Sequence, residues 1–388
     1  MASVGLTELS PAESGAEVGL RVQPRDPRLV PIAEKVVAGQ RVSREDGIAL
    51  FETDDLLAVG AMADLMNRRR NGDRVFYVAN QHINPTNVCI LHKVCVFCSY
   101  GVRPVAEDAY TMPLEQVYEE AEQARHSPTR EFHIVGGLHP KLPLSYYTDM
   151  VRGLKERHPT IHVKALTAVE IAHLARVERS TTLDVLKALV DAGLDTMPGG
   201  GAEVFSPAVR ASIADRKLVA EDWIQVHREA HQLGIPTNCT LLYGHVETYA
   251  DRVDHILMLR DLQDETGGFS TFIPLAWHPD NTALGRSLDR EGSRTGGVDD
   301  LKALAVGRIL LDNFEHVKTH WIMVTTRLSQ LALDFGVDDL EGTVVLEKVT
   351  HTAGADTPLG MDLDDIVRLI RDAGKRPVER DSLYNSLN

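Results

Sequence analysis

Three observations predict an α/β chain folded as a parallel (β/α)8 barrel of the TIM type with an N-terminal helical extension. Short apolar runs alternate with amphipathic helical stretches, seven or eight times, from residue 75 onward. No compositional boundary splits the series in two. The unusual residues fall where the apolar runs end, and in such barrels chemistry sits at the carboxyl ends of the strands.

Taken in order, residues 1–27 mix Ser, Gly, Glu and Pro without periodicity and are expected to be a mobile tail. Residues 28–388 are expected to form one domain. A first short helix is predicted over 31–38. Ser43-Arg44-Glu45-Asp46 is an N-cap followed by acids, and opens a helix carrying Ile48, Ala49, Leu50 and Phe51. Thr53-Asp54-Asp55 opens another, with Leu56, Leu57, Val59, Met62 and Leu65 on one side, and Asn71-Gly72-Asp73 ends it. Strands are predicted over 75–79, 131–135, 162–166, 196–197, 237–243, 271–276 and 317–323, with a weaker eighth over 343–346. Helices are predicted between them over 114–125, 146–157, 182–192, 220–233, 248–266 and 301–314.

Composition narrows the functional classes. The chain has 388 residues, 43% of them hydrophobic, and a formal net charge of −15. Apart from Arg68-Arg69-Arg70 it carries no Lys/Arg stripe, so nucleic acid is not an expected partner. That run ends a predicted helix, where it complements the helix dipole. No run of 18 apolar residues is present, and the start lacks a basic n-region and an apolar h-region. Neither a membrane span nor a secretory signal is expected, and a reducing cytoplasm suits the clustered thiols.

The cysteines carry the strongest signal. Three of the four lie within ten residues, at Cys89, Cys95 and Cys98, and Cys239 stands alone in an apolar run. Gathered thiolates repel and oxidise, so a metal centre is the expected reason for them. Two centres fit the residues. One is a cubane iron–sulfur cluster held by three of its irons, with the fourth free to bind a small molecule. The other is a structural zinc with His92 or His82 as fourth ligand. Cys239 is expected in the core.

The remaining strand ends describe a pocket. Gly136-Gly137 and Gly199-Gly200-Gly201 permit close approach of backbone. Glu170 ends a strand, where it can accept hydrogen bonds from ribose hydroxyls or open the next helix. His82, His133, His139, His245 and His278 stand near strand ends, among 16 histidines.

A strand, then a three-cysteine loop with an aromatic residue just before the last cysteine, resembles the radical S-adenosylmethionine (radical SAM) superfamily. The usual spacing there is C-x3-C-x2-C. This chain has C-x5-C-x2-C, so the loop must bulge between Cys89 and Cys95. The resemblance implies a [4Fe–4S] cluster on Cys89, Cys95 and Cys98, with S-adenosylmethionine on the open iron. It implies cofactor contacts from Phe97, Gly136, Gly137, Glu170 and Glu203, and a low-potential electron donor as partner.

Within the superfamily, His82-Ile83-Asn84, Thr86-Asn87, 133–140, 198–203, 243–245 and 260–269 resemble the enzymes of the futalosine route to menaquinone. Two sister families share these patterns: the aminodeoxyfutalosine synthases and the cyclases of dehypoxanthine futalosine. His133-Ile134-Val135, Thr237-Asn238 with Leu242-Tyr243-Gly244-His245, and Ile273-Pro274-Leu275 with His278-Pro279 side with the synthases. The implied activity is addition of the 5′-deoxyadenosyl radical to 3-[(1-carboxyvinyl)oxy]benzoate with loss of the carboxylate, S-adenosylmethionine being consumed as a substrate. His245 and His278 are the expected catalytic residues. Arg210, Arg286 and the pocket histidines are candidates for the substrate's carboxylates, with a surface salt bridge as the alternative for the two arginines.

Overall fold

The computed structural model describes residues 19–387. The expected tail lies outside the described residues as far as residue 18. From residue 25 the chain is held: the backbone N–H groups of Arg25 and Asp26 both donate to Asp55.

The N-terminal extension follows its caps. Helices span Val30–Val37, Arg44–Glu52 and Leu56–Asn71, and Ser43 forms a capping box with Asp46. Leu57 departs from the expected apolar side and is 58% exposed. The basic run is consumed internally. Arg68 pairs with Asp64 at 2.8 Å, Arg69 donates to the carbonyls of Val36 and Val37, and Arg70 donates to those of Phe314 and Asp312.

Among the described residues nine strands follow: β1 (Arg74–Val78), β2 (Asn80–Ile83), β3 (Glu131–Ile134), β4 (His162–Ala165), β5 (Thr237–Tyr243), β6 (Phe269–Ala276), β7 (His316–Val317), β8 (Asp339–Gly342) and β9 (Arg376–Glu379). β1 runs directly into β2, so the two form one interrupted strand. All ladders are parallel, in the orders β8-β1-β9, β2-β3-β4 and β5-β6-β7. Isolated parallel bridges join these sheets: Lys164 to Thr196, Met197 to Thr237, Lys318 to Asp339 and Gln81 to Val345. Followed from neighbour to neighbour, the pairings return to the strand they start from. Helices such as Leu144–Arg157, Ala168–Glu178 and Tyr249–Thr266 connect the strands, which gives a TIM-type α/β architecture.

Two strand expectations need correction. The run 317–323 is strand only at His316–Val317, and Trp321–Val324 is a short helix. The eighth strand lies at 339–342, four residues before its expected place. Val344 and Leu346 have φ of 49° and 67°, which no strand accommodates. Glu170 does open a helix, Ala168–Glu178, from a capping box with Thr167, whereas the helices Pro207–Ala214 and Leu363–Asp372, and strand β9, were not anticipated.

The barrel interior is charged rather than purely aliphatic. Lys164 meets Glu131 at 2.6 Å, Arg380 meets Asp339 at 2.7 Å and Lys318 meets Glu341 at 3.1 Å, all buried. Such pairs are poor evidence of stability, but removing one partner leaves an uncompensated buried charge at a cost of about 3–5 kcal/mol.

Candidate active site

A cavity of about 360 Å³ opens at the carboxyl ends of the strands. All three clustered cysteines line it, and Cys239 does not. Cys239 is fully buried, with its thiol 3.7 Å from the Thr271 carbonyl.

The loop after β2 shows how the long spacing is absorbed. His92 N–H donates to the Cys89 carbonyl, and Val94 and Cys95 N–H both donate to Leu91, winding residues 89–95 into tight turns. Lys93 takes φ of 66° there, so the two extra residues fold into the turn. Cys89 N–H is pinned to Val102 and Ile90 N–H to Leu138. Gly101 gives the loop room, since a Cβ there would lie 3.0 Å from that of Cys89.

Burial raises the Cys89 thiol pKa, and that of Cys95 to about 11. The positive charge of Lys217 opposes both shifts. Lys217 sits on the cavity wall, 2.6 Å from Glu203 Oε1 and 5.2 Å from the centre of the Phe97 ring. The sequence reading missed this lysine. Its only signal is a place 14 residues beyond Glu203, in a helix-flanking stretch that resembles ordinary surface.

These residues fit a cubane: three soft thiols line one cavity, with the charge of Lys217 acting on them. A cubane takes each thiol on a different iron and leaves the fourth iron open. His92 turns Nδ1 to the Gly101 carbonyl at 2.9 Å.

The glycine turns are dictated by packing. A Cβ at Gly137 would lie 2.4 Å from Val88 O, one at Gly136 3.0 Å from Thr86 O, and one at Gly199 2.5 Å from Cys239 Cα. All three glycines line the cavity. Glu170 links the turn after β3 to its own helix. It accepts from Gly136 N–H at 3.0 Å and from the backbone and hydroxyl of Thr167 at 2.7 and 2.8 Å. Burial lifts its pKa to about 7 against those hydrogen bonds.

The expected catalytic histidines separate. His278 lines the cavity, with Nε2 2.9 Å from the Met323 carbonyl and, among the described residues, no partner for Nδ1. His245 lies outside the lining. Its Nε2 contacts the Leu242 carbonyl at 3.1 Å and its Nδ1 accepts from Val246 N–H at 2.8 Å, so its ring braces the turn after β5.

The two arginines are also elsewhere. Arg210 is buried and donates to the carbonyls of Ala202, Val204 and Leu218. Arg286 is a surface residue 3.7 Å from Glu291. Neither lines the cavity.

A parallel α/β barrel whose rim carries three thiols, a buried carboxylate and a glycine turn is the architecture of a radical SAM enzyme. Comparison with known proteins agrees. Residues 83–259 match the radical SAM superfamily, and residues 266–388 match the CofH/MqnC C-terminal region. The chain is 47% identical to an aminodeoxyfutalosine synthase of Thermus thermophilus, over 94% of this chain and 97% of the relative. It is 45% identical to one of Streptomyces coelicolor, over 92% and 93%. A solved methylornithine synthase shares the fold at 16% identity, with a TM-score of 0.69 and coverage of 89% of this chain and 96% of its own. The chain belongs to the radical SAM superfamily and, within it, to the aminodeoxyfutalosine synthase family. Enzymes of this superfamily use a [4Fe–4S] cluster and S-adenosylmethionine. Among the described residues no helix is long and apolar enough to cross a membrane.

Proposed function

We propose that this chain joins the 5′-deoxyadenosyl group of S-adenosylmethionine to 3-[(1-carboxyvinyl)oxy]benzoate, with loss of the carboxylate, in menaquinone biosynthesis. The observation that carries this reading is the similarity to two aminodeoxyfutalosine synthases along almost the whole of each chain. Residues 28–388 act in it as one unit, in the cytoplasm, with a low-potential electron donor.

Cys89, Cys95 and Cys98 would hold the cluster, which when bound supplies the electron that cleaves S-adenosylmethionine. The chain's own residues bind, orient and exclude water. Phe97, fixed beside Lys217, offers a flat apolar face to the cofactor. Glu170 and Glu203 offer carboxylate oxygens for its hydroxyl and amino groups, and Gly136 and Gly137 keep the backbone near them. Ile273, Leu275, Trp277 and Met323 give the cavity an apolar wall that keeps water and stray hydrogen donors from the reacting carbon.

His278 has a defined hydrogen-bonding sense. The Met323 carbonyl can only accept, so Nε2 carries the proton, and burial keeps the ring neutral. Nδ1 therefore presents a lone pair to the substrate. His245 is a positioning residue for the β5 turn.

Turnover with adenosine-labelled S-adenosylmethionine tests the reading. Label in aminodeoxyfutalosine is expected. Label found only in free 5′-deoxyadenosine, with a cyclised product when dehypoxanthine futalosine is supplied, would assign the chain to the sister cyclase reaction.

A further inference from the structure

The floor of the cavity holds polar atoms that nothing among the described residues satisfies. His82 lies in β2 and His133 in β3, and the parallel register sets them side by side. Their rings stack with centroids 4.5 Å apart and planes 9° from parallel. Both line the cavity. His82 is 7% exposed. His82 Nε2 and His133 Nδ1 are buried without a hydrogen-bond partner, and so is Nδ1 of the neighbouring His320. Buried polar atoms left unpaired cost about 1–3 kcal/mol each, so a set of them around one cavity calls for a ligand.

The surroundings define that ligand's chemistry. Burial holds His82 down to about 3 and His133 to about 4, so both rings are neutral at working pH and each carries one N–H donor. The acids that face them have cations of their own: Glu341 has Lys318 at 3.1 Å, Glu347 has His351 at 2.7 Å, and Glu131 has Lys164 on Oε2 at 2.6 Å, while Glu131 Oε1, 3.9 Å from His133 Nδ1, is unpaired among the described residues. Of the lysines on the cavity wall, Lys217 is bound to Glu203 and Lys93 is exposed. Among the described lining residues no lysine or arginine belongs to the strands that carry His82 and His133. What the floor offers is neutral N–H donors beside flat ring faces.

We infer that the His82–His133 pair, with His320, is the cradle for the aromatic carboxylate of the substrate. The inference rests on the substrate class proposed above. It assigns the benzoate end, because His82 and His133 sit within the strands and the cysteines lie on the loop beyond β2. The reacting alkene then lies toward the thiols and the retained carboxylate lies deepest, where binding remote from the chemistry orients the reacting end.

The test uses the anaerobic holoenzyme and two probes that cannot turn over. One is 3-(1-carboxyethoxy)benzoate, whose alkene is saturated, and the other is its analogue with the ring carboxylate replaced by carboxamide. Calorimetry on the wild type should show the acid binding at least about tenfold tighter than the amide. His82→Phe and His133→Phe keep a stacked ring and remove a donor. Each should shrink that ratio, and the double variant should bring it close to one. Affinity for S-adenosylmethionine should stay unchanged, which reports that the fold and the rim are intact. Equal binding of acid and amide by the wild type overturns the cradle, and so does an undiminished ratio in the double variant. The product assay with labelled S-adenosylmethionine is separate: it can fail with the acid preference intact, or succeed without it.

Discussion

Glu170 is a buried carboxylate with three hydrogen bonds and a pKa still lifted from 4.5 to about 7. The native state therefore holds a proton between those values that the unfolded chain releases. Stability is highest below the unfolded pKa, falls as pH rises through the window, and levels off above about 7. A shift of this size corresponds to roughly 3 kcal/mol, of which about 2–3 kcal/mol is lost between pH 5 and pH 8. In Glu170→Gln the amide has one acceptor oxygen. Its NH2 must face either Gly136 N–H or Thr167 N–H, leaving that donor unpaired at a pH-independent cost of about 1–3 kcal/mol. Urea unfolding of anaerobically purified wild type and variant, followed by tryptophan fluorescence across this range, separates the two effects. Other titrating groups are common to both proteins and cancel in the difference. The wild type should lose its advantage over the variant as pH rises. A difference that stays constant from pH 5 to pH 8 refutes the assignment of a raised pKa to this residue.

Cys89→Ala, Cys95→Ala and Cys98→Ala should each lose iron and sulfide on anaerobic reconstitution, whereas Cys239→Ala should keep both. Full iron in the Cys89 variant would show that the turn at Lys93 does not carry that thiol to the cluster. Gly137→Ala places a Cβ against Val88 O, so it should cost about 1–3 kcal/mol or more in a thermal melt and lower the iron content, because Val88 leads into Cys89. An unchanged melt would mean that the turn has slack.

Local chemistry made the cysteine loop, the glycine turns and most strands legible. Ser43 with Asp46, Thr248 with Asp251 and the Val/Ile/Leu runs announce their elements because caps and apolar periodicity act within a few residues. β8 failed that reading. Asp339-Leu340-Glu341-Gly342 looks polar, and its acids are tolerated only because Arg380 and Lys318 arrive from distant segments. Thr343-Val344-Val345-Leu346 looks like strand, yet its backbone turns left-handed.

The site divides the same way. Which thiols, glycines and carboxylate gather at one rim followed from their places at strand ends, since parallel βα units send every such end to the same side. Which polar groups remain free was decided only by the tertiary structure. Arg210 is consumed by three carbonyls, His245 by its own turn and Arg286 by the surface. Lys217 reaches the cysteines, and parallel register stacks His82 on His133. A sequence states each side chain's donors and acceptors. Whether they are satisfied depends on partners tens or hundreds of residues away, and only packing brings those within the roughly 3 Å of a hydrogen bond.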